Sequence, residues 1–135
     1  MNSPISSSYL KETMENPPMP ATGGYRCPVS ATLQLIGGKW KMVILWAITH
    51  GIERFGQMER MMPGISKKVL TQELRDLERL GLIEREQVQA KPLIVVYSVT
   101  PLGQSLEPIL QAMGDWGAAH AFRLLTPSSG NTPSA

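Results

Sequence analysis

The sequence has little of what marks a catalyst, a secreted scaffold or a membrane protein. It holds one cysteine and two histidines. A single thiol cannot close an internal disulfide, which fits a reducing compartment. His50 and His120 stand apart with no ligand spacing around either, so no metal site is expected. Charge of one sign is also scarce, with 13 Lys and Arg against 11 Asp and Glu. A nucleic-acid binder with so small an excess must gather its cations on one face. The longest apolar run, "MVILWAI", is far short of the roughly 20 residues that cross a bilayer. The opening "MNSPISSSYL" lacks the basic and apolar regions of a signal peptide, so a soluble, cytoplasmic protein with no membrane partner is expected. No nucleophile, base and orienting group occur together, so neither a catalytic residue nor a cofactor is expected. Gly37-Gly38-Lys39 fails as a phosphate loop. Leu33 stands where its first glycine belongs, and Trp40 follows in place of Ser or Thr.

What is present is regular punctuation. Residues 1–24 and 126–135 are rich in Ser and Pro without periodicity and are expected to be disordered tails around a folded unit at 25–125. Within that unit, Val29, Leu33 and Ile36 fall at helical spacing ahead of Gly37-Gly38. "KWKMVILWAITHG" predicts a helix apolar nearly all round, which belongs at the centre of a core. "FGQMERMM" predicts a third helix, ended by Pro63-Gly64. The segment from Ser66 to Leu80 predicts a fourth, with Ser66 as N-cap and Gly81 as its stop. The period then changes to two. "LIEREQV" and "LIVVYSV" flank "QAKP", which predicts a hairpin. Thr100-Pro101 opens a last helix to about 125, with a kink expected near Gln104 because Pro108 lies inside it. Methionines in the helices are expected to fill the core, and His50 to cap helix carbonyls. The order predicts an α+β, mainly α fold: a winged helix-turn-helix with an additional C-terminal helix. Such units bind DNA, but they also serve as protein-docking modules, and the pattern leaves both open.

The fourth helix is the most informative. At about 100° per residue, Lys67, Lys68, Thr71, Gln72 and Arg75 share one arc. Val69, Leu70, Leu74, Leu77 and Leu80 are expected on the opposite one. Glu78 lies toward the C-terminal end of the polar side. A recognition helix enters the major groove by its N-terminal part, where acids would be repelled. Lys and Arg can donate to guanine, Gln can pair with adenine, and Thr can touch a thymine methyl. Ser66 and the unpaired N–H groups beside it can hold a phosphate. At the hairpin tip Lys91 is the only cation, so the wing is expected to make at most a weak contact. Arg85 sits at the wing base. A solvated charged face is the plainer reading of the same helix.

"CPVSATLQLIGGKWKMVIL", "RFGQMERMMPGISKKVLTQELRDLERLGLIER", "VYSVTPLGQSLEPIL" and "DWG" together resemble the HxlR-type winged-helix transcriptional regulators of bacteria, over about residues 25–123. The resemblance implies a homodimer on double-stranded DNA with a palindromic operator, most often as a repressor. It also implies that the first and last helices, here 29–36 and 102–125, build the dimer interface. That places Leu33, Leu106, Ile109, Leu110, Met113, Trp116 and Phe122 there. Independently, Trp116, Phe122 and Leu124 carry the apolar stripe past what so small a domain needs. The alternative is that Trp116 packs back onto the second helix. The chain departs from the family at the wing, where Ile94 and Val96 occupy positions often held by Arg and Glu. Gly56 stands where a capping Ser or Asn is common, so a loose start to the third helix is expected.

Pro28 suits the first position of a helix, which leaves Cys27 as N-cap, facing the positive end of the helix dipole beside Arg26. Tyr25 and Gly24 keep the site near the tail. In several members of the resembled family the matching cysteine senses electrophiles or oxidants. With one cysteine per chain, a disulfide would have to join two subunits or capture a small thiol. A buried, inert Cys27 is the alternative. A third possibility is a small aromatic effector held without covalent chemistry in an interhelical pocket.

Overall fold

The computed structural model describes residues 27–127. Tyr25, Arg26, residues 1–24 and 128–135 lie outside them. The chain divides into two units, one ending at Met42 and the other beginning at Val43.

In the first unit, α1 runs Pro28–Ile36. Pro28 occupies its first turn, where a missing N–H costs nothing, and Cys27 is its N-cap. Its stripe divides: Val29 and Leu33 are 66% and 61% exposed, while Ile36 is buried.

α2, Lys41–Thr49, continues into the second unit. Ile44, Leu45 and Ile48 are buried there, while Val43 is 43% exposed, so the helix is covered on one side rather than all round. His50 closes it, its Nδ1 2.8 Å from the carbonyl oxygen of Trp46. α3 spans Phe55–Met61. Its start is firmer than expected, because Gly56 lies inside the helix rather than at its cap. Gln57 Oε1 accepts from the backbone N–H of Arg54 at 3.1 Å and of Glu53 at 3.2 Å, supplying the missing cap. A turn follows in which Gly64 takes φ +92°, a value that excludes most side chains. α4 spans Lys67–Arg79, and Ser66 Oγ accepts from Val69 N at 3.0 Å. Leu70, Leu74 and Leu77 are buried, as are Met58 and Met62. Val69, expected with them, is half out of the core, since it lies about 100° around the helix from Leu70. Met61 and Met113 are exposed rather than core filler.

β1, Ile83–Gln89, and β2, Ile94–Val99, form an antiparallel pair with Ile83 opposite Val99 and Arg85 opposite Tyr97. An irregularity between Gln87 and Gln89 leaves Val88 exposed at the wing edge. Beyond the wing the expected single kinked helix is two helices. α5 is only Pro101–Gln104, and α6 restarts at Glu107 and runs to Trp116. Pro108 is the cause: it has no N–H for the Gln104 carbonyl, and its ring excludes that oxygen. In the first turn of α6 neither defect matters. A π-helical segment, Gly117–Ala121, and a short α7, Phe122–Leu125, complete the chain's described part. Among the described residues no helix is long and apolar enough to cross a membrane.

The junction between wing and α5 is closely built. Thr100 Oγ1 donates to the Gly81 carbonyl at 2.6 Å and accepts from Gly103 N at 3.0 Å. Thr100 N donates to Leu82 O at 3.0 Å. A Cβ at Gly103 would collide with that same Leu82 carbonyl oxygen. One threonine thus ties the end of the hairpin to the turn after α4.

Candidate nucleic-acid interface

α4 buries its leucine face, and its opposite face is largely exposed. Lys67, Lys68, Gln72 and Arg75 are exposed and Thr71 is half-buried. All five lie in one arc, Lys67, Lys68, Thr71 and Gln72 in the first two turns after the Ser66 cap and Arg75 in the third. No acidic residue occupies the first turn of α4. Negative charge begins in the second turn with Glu73, ahead of Arg75, and continues at Asp76. Asp76 Oδ1 accepts from Gln72 Nε2 at 3.0 Å and from Arg79 Nη2 at 2.8 Å. One carboxylate therefore partly neutralises itself against Arg79 and fixes the side-chain amide of Gln72. Sequence pattern placed Gln72 on this face but gave no sign of its tether, because Asp76 lies at the edge of the arc.

The wing adds little positive charge. Lys91 is exposed at its tip, beside the cis Lys91–Pro92 peptide. Glu84 and Glu86 alternate with Arg85 along β1, and all three are exposed. Ile94 and Val96 are half-buried.

A second basic feature emerges only in three dimensions. Arg54 and Arg85 both line a pocket of about 340 Å³ between the start of α3 and the wing base. Spacing along the chain cannot pair residues so distant. The register of the hairpin, with Arg85 opposite Tyr97, is the signal that could have found them.

The candidate interface residues divide. Leu33 on α1 is 61% exposed in its own unit. In the second unit Ile109, Met113, Trp116 and Phe122 are 43%, 53%, 56% and 73% exposed. Leu106 is half-buried, and Leu110 is 4% exposed and belongs to the unit's own core. Trp116 is more than half exposed. Its ring leans on His120, with centroids 5.1 Å apart. It is Trp46 of α2 that meets α6, at Gly114, where a Cβ would lie 3.2 Å from the indole. An apolar concavity of about 560 Å³ runs along one face of α6 and the π segment, past Ile109, Met113 and Trp116, rather than between helices. Cys27 is half-buried, a free thiol whose side chain makes no capping hydrogen bond.

Comparison with known proteins agrees with this architecture. A family profile described as HxlR-like helix-turn-helix matches residues 35–123. The HTH-type transcriptional regulator YtcD of Bacillus subtilis (strain 168) is 47% identical over 100 residues, covering 74% of this chain and 79% of its own length. YdeP of the same organism is 43% identical over 98 residues, covering 73% of this chain and 77% of its own length. The solved structure of the redox regulator HypR in its oxidised form superposes with a TM-score of 0.66 at 41% identity, covering 70% of this chain and 97% of that one.

Proposed function

Since the chain belongs to the HxlR-like helix-turn-helix family of transcriptional regulators, we propose that it acts as a homodimer that represses transcription from a palindromic operator. DNA-binding regulation, not catalysis, is the activity of the family. In the proposed complex α4 of each copy lies in the major groove, the two copies roughly 34 Å apart. Lys67, Lys68 and Arg75 reach guanine acceptors or phosphates, Gln72 reads adenine and Thr71 touches a thymine methyl. Ser66 and the N–H groups at the start of α4 hold a phosphate, and Lys91 adds a weak contact from the wing.

The observation that carries this reading is the division of α4. Its leucine face is buried while its cationic leading end is fully presented. The dimer is supported by the exposed apolar surface of Leu33, Met113, Trp116 and Phe122, which a monomer in water has reason to cover. Leu106 and Ile109 would join them, with Leu110 buttressing from beneath.

We also propose that Cys27 reports oxidants or electrophiles. HypR, similar to this chain, is named a redox regulator and is solved in oxidised and reduced forms. In this chain two Cys27 thiols, or one and a small thiol, would give two electrons and two protons to an oxidant as the disulfide forms.

Gel shifts on the chain's own promoter region test the central reading. Specific binding should weaken with log[salt] by about 0.9 log units per phosphate neutralised. Equal binding to every fragment, or none at all, would point instead to a protein-docking module.

A further inference from the structure

We propose that the pocket between the wing base and the start of α3 binds a small organic carboxylate with a flat apolar body, and that this is the effector site of the regulator. The binding stands on the pocket alone; its effect on the operator rests on the DNA-binding reading above.

The pocket is built by a backbone contact outside the hairpin. Tyr97 N on β2 donates to the carbonyl of Glu53 at 2.9 Å. That bond lays residues 53–55 against β2 and brings Arg54 and Phe55 to the face where Arg85 and Tyr97 stand opposite each other. Alternation along β1 turns Glu84 and Glu86 to the other face. Among the described residues neither the Arg54 nor the Arg85 guanidinium has an ion-pair partner. A third arginine, Arg60, is near one of the lining residues: its Nη1 lies 3.7 Å from the place a Cβ on Gly56 would take. The remaining walls are apolar, from Phe55, Tyr97, Ile94 and Val95.

Cations and walls together select the ligand. Planar guanidinium forks match a planar carboxylate and hold it through two parallel hydrogen bonds. Two aromatic rings and two branched aliphatic side chains would be idle against a bare phosphate, but they cover the faces of a ring. The volume of about 340 Å³ is at the small end for ligand pockets and suits a single-ring molecule. Such an occupant touches the wing and the first helix of the helix-turn-helix at once. If operator and occupant both discriminate between wing positions, each changes the affinity of the other by one and the same factor.

Benzoate, neutral benzamide and inorganic phosphate are suitable probes, titrated into the full chain by calorimetry. Benzoate should bind at least about tenfold more tightly than either of the others. Arg54→Ala and Arg85→Ala should each weaken benzoate by about tenfold or more, and Arg85→Lys, which keeps the charge but loses the fork, by less. Both arginines are exposed, so the variants should fold. In gel shifts benzoate should change wild-type operator affinity and leave both alanine variants unmoved. Equal binding of benzoate and benzamide, or of benzoate and phosphate, overturns the proposal. So does benzoate binding untouched by either substitution. If benzoate fails to bind while the alanine variants lose operator affinity and salt dependence, the arginines hold DNA backbone and the proposal is wrong. If benzoate binds as expected but no operator is bound, the site stands and the DNA-binding reading falls.

Discussion

Gln72 donates through Nε2 to Oδ1 of Asp76, one turn further along α4, at 3.0 Å. The same oxygen takes Arg79 at 2.8 Å. A glutamine that reads adenine needs both its donor and its acceptor in register with the base edge. Held by one N–H, it arrives at the groove with part of its rotamer freedom already lost, which lowers the ordering cost of a base contact. In the proposed complex Asp76 would also place a negative charge near the phosphates. Asp76→Ala should therefore raise affinity for unrelated DNA while flattening discrimination at the base pair Gln72 reads. Competition gel shifts against operators altered one pair at a time measure both, and an unchanged discrimination profile would refute the tether's role.

Arg75 lies on the same exposed arc with no acid one turn before it, since residue 71 is a threonine. If it pairs with guanine, Arg75→Ala should cost about 1–3 kcal/mol at a single operator position and little elsewhere. Lys67→Ala should instead weaken all sequences alike and lower the salt slope by about one phosphate. The two variants, titrated on the same set of operators at two salt concentrations, separate reading from anchoring. Uniform weakening by Arg75→Ala would move that residue to the anchoring class.

The winged helix-turn-helix was legible because local signals and burial agreed. Ser66, Gly64, Gly81 and the leucine spacing of α4 each mark a boundary or a face within one element, and each acts as its chemistry suggests. What escaped depends on contacts between elements or on side chains at the edge of a pattern. Pro108 was seen, but whether a proline kinks a helix or restarts it turns on how the preceding carbonyls are satisfied. The cap of α3 came from Gln57, inside the helix, so the glycine at position 56 misled. Leu110 shares a stripe with Ile109 and Met113, yet about 100° of rotation separates it from Ile109, and only the packing decides which faces the core. The Arg54 and Arg85 pocket needs the hairpin register and the Tyr97–Glu53 hydrogen bond, neither of which a spacing can show.

The Thr-Pro-Leu-Gly run after the wing has a structural account that makes its own prediction. Gly103 packs against the Leu82 carbonyl, and Thr100 bonds the turn on one side and caps α5 on the other. Thr100→Ala should cost about 1 kcal/mol, the usual loss at an N-cap. Gly103→Ala should cost more, because backbone has to move, and should approach the roughly 2–5 kcal/mol of Leu70→Ala in the core. Urea unfolding of the three variants gives the order directly. A Gly103→Ala protein as stable as wild type would mean that the wing and α5 are not locked as described.

Met113 and Trp116 are both more than half exposed and line the same apolar concavity. If that face is covered by a second copy, Met113→Asp buries an unpaired carboxylate in the interface and should convert dimer to monomer in sedimentation. Circular dichroism should be unchanged, since Met113 contributes little to the core of its own unit. Operator affinity should fall together with dimerisation, because a single α4 makes half the phosphate contacts. A Met113→Asp protein that still sediments as a dimer would remove this face from the interface.

Cys27 is half-buried at the start of α1, with Leu33 exposed less than two turns along the same helix. If α1 joins the partner, a bond formed at Cys27 acts at the edge of that interface and can move the two reading helices relative to each other. Operator affinity of the wild type should then change by at least about fivefold after treatment with diamide and recover with dithiothreitol. Cys27→Ser should bind the operator normally and ignore diamide. With glutathione supplied beside diamide, a non-reducing gel and intact-mass spectrometry distinguish the two chemistries: a doubled band marks a disulfide between subunits, and an unchanged band whose mass gains one glutathione marks a mixed one. The serine variant losing operator binding outright, with no oxidant present, would assign Cys27 to packing instead of sensing.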